Sequence, residues 1–282
     1  MQHLRRPAGS PAPRKKRAPS MFEVLRTERL SPRMIRVVLG GEGVDAFDEN
    51  AYAAHIKLML PRPGQREPSL PTLGEQGPVW PPADQRPIVR TYSVRGCDRE
   101  KGELVVDFVA HGDEGPASRW ALAARPGDRI GIAGPGGPMP MLKPADWTLL
   151  AGDMTALPAI AAMLERLPED ARGCALIEIP DQAERQALRH PSGVELHWLV
   201  RAAKSPSESR LLLDAAIALD IPSQTSLFAW VGGENAAVIA LRDHLRDRHS
   251  LSKPMLYAVP YWKYTLDEET YHQERHRVMD EL

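Results

Sequence analysis

Arg90-Thr91-Tyr92-Ser93-Val94-Arg95 is β-branched and apolar enough to be a strand, yet it carries two arginines and three hydroxyls. Alternation along a strand puts Arg90 and Tyr92 on one side. Twenty-five residues after Arg90 comes Gly115-Pro116-Ala117-Ser118, predicted to open a helix over 117–124. A glycine, a small residue and a serine at a helix start leave backbone N–H groups open to an anion, and the helix dipole assists. An arginine reaching that spot would pair a pyrophosphate through two parallel hydrogen bonds. The tyrosine beside it offers a flat face to a planar ring.

On both sides of this pair the chain reads as short strands, predicted at 22–30, 34–39, 55–60, 89–94, 103–110 and 128–133. Six strands with one helix predict a small antiparallel Greek-key barrel over residues 21–144. Inside it, residues 61–87 are a long run rich in Pro and Gly, expected to be either a functional cover or disordered.

After Asp146 apolar runs alternate with helical patterns. Strands are predicted at 147–151, 174–179, 194–200, 227–231 and 254–259, and helices at 156–167, 182–190, 207–219 and 236–249. This alternation predicts a parallel, Rossmann-like sheet covered on both faces, over residues 145–263. Ligands of such sheets collect beyond the carboxyl ends of the strands, where strand order reverses. Two turns fall there: Gly152-Asp153-Met154-Thr155, followed by Pro158 in a first helical turn, and Gly232-Gly233-Glu234-Asn235. The first lacks the spaced glycines of a dinucleotide fingerprint. The two glycines of the second would admit a flat ring, and Asn235 is a candidate helix cap. Coenzyme choice stays open: Asp181 favours an unphosphorylated ribose, whereas Arg201 and Lys204 favour a 2′-phosphate.

The ends are simpler. Residues 1–20 are basic and Pro-rich without an apolar core, and are expected to be a disordered tail rather than a signal peptide or a tether. Residues 264–282 are expected to form a helix, with Thr265 and Glu268 as a capping box. The 282 residues are 43% hydrophobic and 26% charged with net charge −1, the balance of a globular protein without a field for nucleic acid. Two distant cysteines exclude a disulfide framework and a four-thiolate cluster, and no run reaches a membrane span, so no integral membrane association is expected. The expected location is the cytoplasm.

The Arg90–Ser93 strand followed by the Gly115–Ser118 helix start resembles the ferredoxin-reductase superfamily of flavoproteins. The resemblance narrows with His55-Ile56-Lys57-Leu58, the string His111-Gly112-Asp113-Glu114-Gly115-Pro116-Ala117-Ser118, Gly152-Asp153-Met154-Thr155-Ala156-Leu157-Pro158, Gly232-Gly233-Glu234 and Tyr261-Trp262-Lys263. Together these are similar to siderophore-interacting proteins across residues 21–263. One departure is Met154, where that family usually has Glu.

The resemblance implies an FAD-binding barrel followed by a domain for NADH or NADPH, and passage of electrons to a ferric siderophore. Arg90, Thr91, Tyr92, Ser93, His111, Gly115, Ala117 and Ser118 would hold FAD; Gly152, Thr155, Gly232 and Glu234 would meet the coenzyme. Lys57 and Lys263 would line the groove for an anionic chelate, with no protein ligand to the metal. No catalytic side chain beyond the flavin is implied. A ferredoxin is an alternative electron donor. Two other readings remain: a general NAD(P)H-flavin or quinone reductase, and a siderophore-binding module without electron transfer.

Overall fold

The computed structural model describes residues 17–112, 115–202, 205–271 and 274. Most of the basic tail, Asp113, Glu114, Lys204 and most of the C-terminal segment lie outside the described residues.

The first half contains β1 (Ser20–Ser31), β2 (Met34–Gly40), β3 (His55–Leu60), β4 (Thr72–Gly74), β5 (Gly77–Val79), β6 (Ile88–Ser93), β7 (Gly96–Asp98), β8 (Glu103–Val109), α1 (Pro116–Ala123) and β9 (Arg129–Gly136). Seven of these strands form one antiparallel sheet in the order β6-β3-β9-β1-β2-β8-β7. β9 returns to lie between β3 and β1, the long-range return of a Greek key. Alternation sets the faces: Ile56, Leu58 and Leu60 of β3 enter a core with Phe22, Val37, Leu104 and Phe108. Each such burial contributes about 1.5–3 kcal/mol. The intervening residues, His55, Lys57 and Met59, face the other way. β6 is an edge strand, and the Pro/Gly-rich segment before it is no bare loop: β4 and β5 pair as a small hairpin.

The second half contains β10 (Trp147–Asp153), α2 (Leu157–Leu164), β11 (Gly173–Ile179), β12 (Val194–Val200), α3 (Leu211–Ile217), β13 (Leu227–Glu234), α4 (Asn235–His249) and β14 (Leu256–Trp262). The parallel sheet runs β12-β11-β10-β13-β14, so strand order reverses between β10 and β13. One core lies under α2 and another under α3 and α4, which buries both faces of the central strands. The first of these cores also takes in Met34, Ala53 and Met141 from the barrel side, so the halves share apolar packing.

Four expectations are corrected. The predicted helix at 182–190 is only a 3-10 turn, Gln182–Glu184, because buried Glu184 is drawn to the barrel: Ser31 Oγ donates to it at 2.6 Å and Arg33 N at 3.1 Å. Tertiary contact overrides helix propensity there. The strand predicted at 254–259 lies at Leu256–Trp262, and it carries Pro260 as an edge strand can. Thr265 adopts a left-handed φ of 71°, and the helix starts at Glu268 with Asp267 Oδ1 accepting from Thr270 N, so no Thr265–Glu268 capping box forms. The cap of α4 is Glu234, which accepts from Ala236 N at 2.6 Å, rather than Asn235.

Candidate functional site

The two motifs of the barrel meet through aromatic packing. Tyr92 lies 4.6 Å from Phe108 between ring centroids, and Phe108 lies 5.6 Å from Trp120 of α1. This ladder ties β6 to the helix that Gly115 opens. Burial, together with the nearby Glu268 carboxylate, pushes the Tyr92 phenol well above its ordinary range, so it stays neutral. The α1 N-terminus has no side-chain cap, which leaves its first N–H groups to another acceptor. The Ser118 hydroxyl is committed to the preceding turn: it accepts from His111 N at 3.1 Å and donates to Gly112 O at 2.5 Å. The His111 ring lies over Gly115, where a Cβ would come within 2.5 Å of the imidazole. Gly115 is thus the cradle in which ring and backbone approach closely. An uncapped helix start over a glycine cradle, joined to a strand bearing a mostly buried arginine, fits an anionic dinucleotide such as FAD.

Arg90 and its neighbour face the chain's own C-terminal segment. Arg90 Nη1 pairs with Glu269 at 2.5 Å, and its Nε lies 3.9 Å from Glu268. Glu268 also accepts from Thr91 N at 3.0 Å and from Thr91 Oγ1 at 2.7 Å. Tyr271, buried, anchors this segment through its hydroxyl, which donates to Asn235 Oδ1 at 2.8 Å.

Across β6, a cavity of 1340 Å³ opens on the face that carries Lys57 and Met59. Lys57 Nζ donates to Thr91 Oγ1 at 2.6 Å. Lys263 is not among the lining residues; it pairs with Glu274 at 2.6 Å. The structure therefore brings Lys57, and not Lys263, to the cavity.

At the carboxyl ends of the parallel strands, one carboxylate organises the turns. Asp153 Oδ1 accepts from Thr155 N at 2.8 Å and Thr155 Oγ1 at 2.6 Å, while Oδ2 accepts from Glu234 N and from Trp262 Nε1, both at 2.8 Å. Thr155 and Glu234 are thereby fixed, and the Glu234 carboxylate is spent on the α4 cap and on Tyr264 N. Gly152 and Gly232 sit side by side in register. A Cβ on Gly152 would meet Gly232 O and Ala156 Cβ at 2.5 Å, and one on Gly232 would meet the Trp230 indole at 2.8 Å. Their first need for glycine is protein packing. Met154 is buried in the core shared with the barrel, where an apolar side chain suits the surroundings. Asp181 caps the 3-10 turn through Ala183 N, and Arg201 pairs at 3.5 Å with Glu178, whose burial raises its carboxyl.

The halves touch at the centre of this arrangement: Ser93 Oγ lies 3.3 Å from Tyr261 Oη, and Arg95 pairs with Glu165. Sequence reasoning missed Asp153, although Asp-x-Thr is a recognisable side-chain turn. It also missed Glu268 as a contact of β6, for which no local pattern exists. Among the described residues no helix is long and apolar enough to cross a membrane.

Comparison with known proteins agrees with this layout. Residues 23–139 match the siderophore-interacting FAD-binding domain and residues 145–265 the siderophore-interacting protein model. The ferric vibriobactin reductase ViuB of Vibrio cholerae is 39% identical over 265 residues, 93% of this chain and 96% of that protein. The NADPH-dependent ferric-chelate reductase of Escherichia coli is 33% identical over 85% of this chain and 91% of its own length. The crystal structure of the siderophore-interacting protein SipS from Aeromonas hydrophila superposes with a TM-score of 0.81 at 41% identity, covering 93% of this chain and 98% of that one. With both halves matched in order and nearly full-length relatives above 30% identity, the chain belongs to the siderophore-interacting protein family.

Proposed function

We propose that this chain is a reductase that uses FAD to carry electrons from NADH or NADPH to the Fe(III) of a siderophore, releasing Fe(II). The observation that carries the reading is the 3.3 Å approach of Ser93 Oγ to Tyr261 Oη, where the cofactor strand β6 meets the carboxyl ends of a parallel sheet. FAD, when bound, supplies the conversion between a two-electron hydride donor and one-electron Fe(III) chemistry. Residues 21–144 form the flavin half, with Arg90, Thr91, Tyr92 and Ser93 and the turn at His111, Gly115, Ala117 and Ser118 holding the dinucleotide. Residues 145–263 form the coenzyme half, where Gly152, Thr155, Gly232 and Glu234 shape the platform. Lys57 attracts an anionic chelate to the cavity, and Lys263 is a weaker candidate because of its pairing with Glu274. Fe(III) is the harder cation for oxygen donors, so reduction loosens the chelate. Two free cysteines support a cytoplasmic setting.

Anaerobic mixing tests this. NADH or NADPH should bleach the yellow of the oxidised flavin, and a ferric siderophore should restore it. A flavin bleached only by dithionite, yet reoxidised by the chelate, would exclude NADH and NADPH and leave a protein donor such as a ferredoxin to be tested. A reduced flavin that the chelate leaves reduced would overturn the proposal.

A further inference from the structure

The cavity beside β6 holds a feature that the attraction of an anion does not explain. At 1340 Å³ it exceeds the roughly 300–1,000 Å³ of ordinary small-molecule pockets, which suits a large polydentate chelate. Its basic lining residues, Arg17, Lys57, Arg62 and Arg86, are matched in number by acidic ones, including Glu268 and Glu269. Charge alone therefore selects weakly there.

Its outer wall is the segment between β3 and β6, and that wall is braced from within. Arg62 Nε donates to Arg86 O at 2.7 Å and its Nη2 to Ala83 O at 3.2 Å, while Arg86 Nε donates to Pro81 O at 3.1 Å. The residue preceding Pro81 is Trp80, which lines the cavity and is 39% exposed. Leu73 and Val79 of the hairpin are also exposed, at 47% and 58%. None of the ring–ring contacts among the described residues involves Trp80. A large aromatic on a braced wall, facing a cavity rather than the core, offers its face to a ligand.

The cavity adjoins the cofactor cradle, because Glu268 and Glu269 line it and also pair with Thr91 and Arg90. Arg90 and Tyr92 pair across the ladder with Leu58 and Ile56, on the core face, and neither they nor Gly115–Ser118 line the cavity. We propose that Trp80 is a specificity-determining residue that favours anionic ferric chelates bearing aryl rings, catecholates above all, over equally charged chelates without rings. A catecholate ring can stack on the indole while its oxygens stay on the metal, with Lys57 lining the same cavity. This rests on the proposed ferric-chelate reductase.

Redox-inert Ga(III) complexes separate binding from electron transfer. Titration calorimetry would compare Ga(III) held by a hexadentate tris-catechol with Ga(III) tris-oxalate, both trianions, on wild type, Trp80→Ala and Trp80→Phe. Trp80→Ala should weaken the catecholate complex by about three- to tenfold, within the range of an aromatic pair, and leave the oxalate complex unchanged. Trp80→Phe should restore most of the difference, and flavin content should not change in either variant. Equal weakening of both complexes, no weakening, or loss of FAD from Trp80→Ala would overturn the inference while leaving the reductase intact. Wild type that binds neither complex and reduces no ferric chelate would overturn the reductase reading, and this inference with it.

Discussion

Thr91 donates twice to the carboxylate of Glu268, from its backbone N–H at 3.0 Å and from its hydroxyl at 2.7 Å. The free edge of β6 is thus capped by the chain's own C-terminal segment, and Glu269 reaches Arg90 one residue away. Both carboxylates stand where a bound pyrophosphate would share Arg90, so like charges would have to coexist or separate. Arg90→Ala should weaken FAD binding by roughly 1.5–3 kcal/mol, the contribution of a hydrogen bond to a charged group. Glu268→Gln with Glu269→Gln should act in the opposite direction, tightening FAD about two- to fivefold at low salt, since exposed pairs contribute little and are screened. Flavin fluorescence quenching reads both. Wild-type affinity in Arg90→Ala would remove Arg90 from the cofactor site.

Lys57 is expected to affect substrate more than cofactor. It lines the cavity and is held by Thr91 Oγ1. Lys57→Gln should raise the KM for an anionic ferric siderophore while FAD content stays at one per chain. The effect should shrink as salt rises, because charges in an open cavity are screened over about 10 Å at 0.1 M. A KM that is unchanged at low salt would return Lys57 to an ordinary role beside Thr91.

Gly152 and Gly232 are expected to show their importance first in stability. They are paired in register, and added Cβ atoms would strike Ala156 and the Gly232 carbonyl in one case and Trp230 in the other. Gly152→Ala and Gly232→Ala should each destabilise by about 1–3 kcal/mol through overpacking. A branched residue at 232 should be worse. Thermal unfolding of the apoprotein is the measurement; unshifted midpoints would mean that β10 and β13 separate easily, and that the glycines serve a ligand alone.

Both cysteines should be slow to react, Cys174 as a buried thiol and Cys97 as a half-buried one. Burial, with a smaller effect from Glu195, pushes Cys174 up to about 12, and Cys97 is raised by its own burial. Because the folded value is raised, Cys174 contributes stability as the neutral thiol below its ordinary value and loses it as pH rises through about 12. At ordinary pH Cys174 stays the neutral thiol. A disulfide-exchange reagent should therefore titrate the native protein slowly and both thiols rapidly after unfolding.

The two sheets were legible because periodicity is local: the alternation at 55–60 and the apolar runs at 174–179 and 227–231 depend only on neighbours in sequence. The motif pair at Arg90 and Gly115 was legible for the same reason. What was hidden is long-range. Glu184 trades a helix for Ser31 and Arg33, 153 and 151 residues away, and Glu268 reaches Thr91 across 177 residues. Gly232 read as an opening for a ring; that an added Cβ would also strike the Trp230 indole depends on how that side chain packs, which composition does not show.

Asp153 offers the sharpest test of the coenzyme half. Its two oxygens accept four hydrogen bonds, and Oδ2 serves Glu234 N and Trp262 Nε1 together, so one carboxylate joins the ends of β10, β13 and β14. Asparagine is nearly the same shape but can present only one acceptor oxygen. If that oxygen keeps Thr155, the amide N–H groups face two donors, and buried donors left unsatisfied cost about 1–3 kcal/mol. If it turns to Glu234 and Trp262, the turn at Thr155 is lost instead. Asp153→Asn should therefore loosen the platform whichever way it faces. The expected signature is a red shift of Trp262 emission, read as the Trp262→Phe difference spectrum, with a coenzyme KM raised about tenfold. Dithionite-driven reduction of ferric chelate and FAD content should stay near wild-type levels, since Arg90, the Gly115–Ser118 turn and Lys57 belong to the barrel. A variant that melts as a whole would lose FAD and chelate reduction as well, which separates collapse from misplacement. Wild-type KM in a folded Asp153→Asn protein would mean that the coenzyme is held away from these three strands.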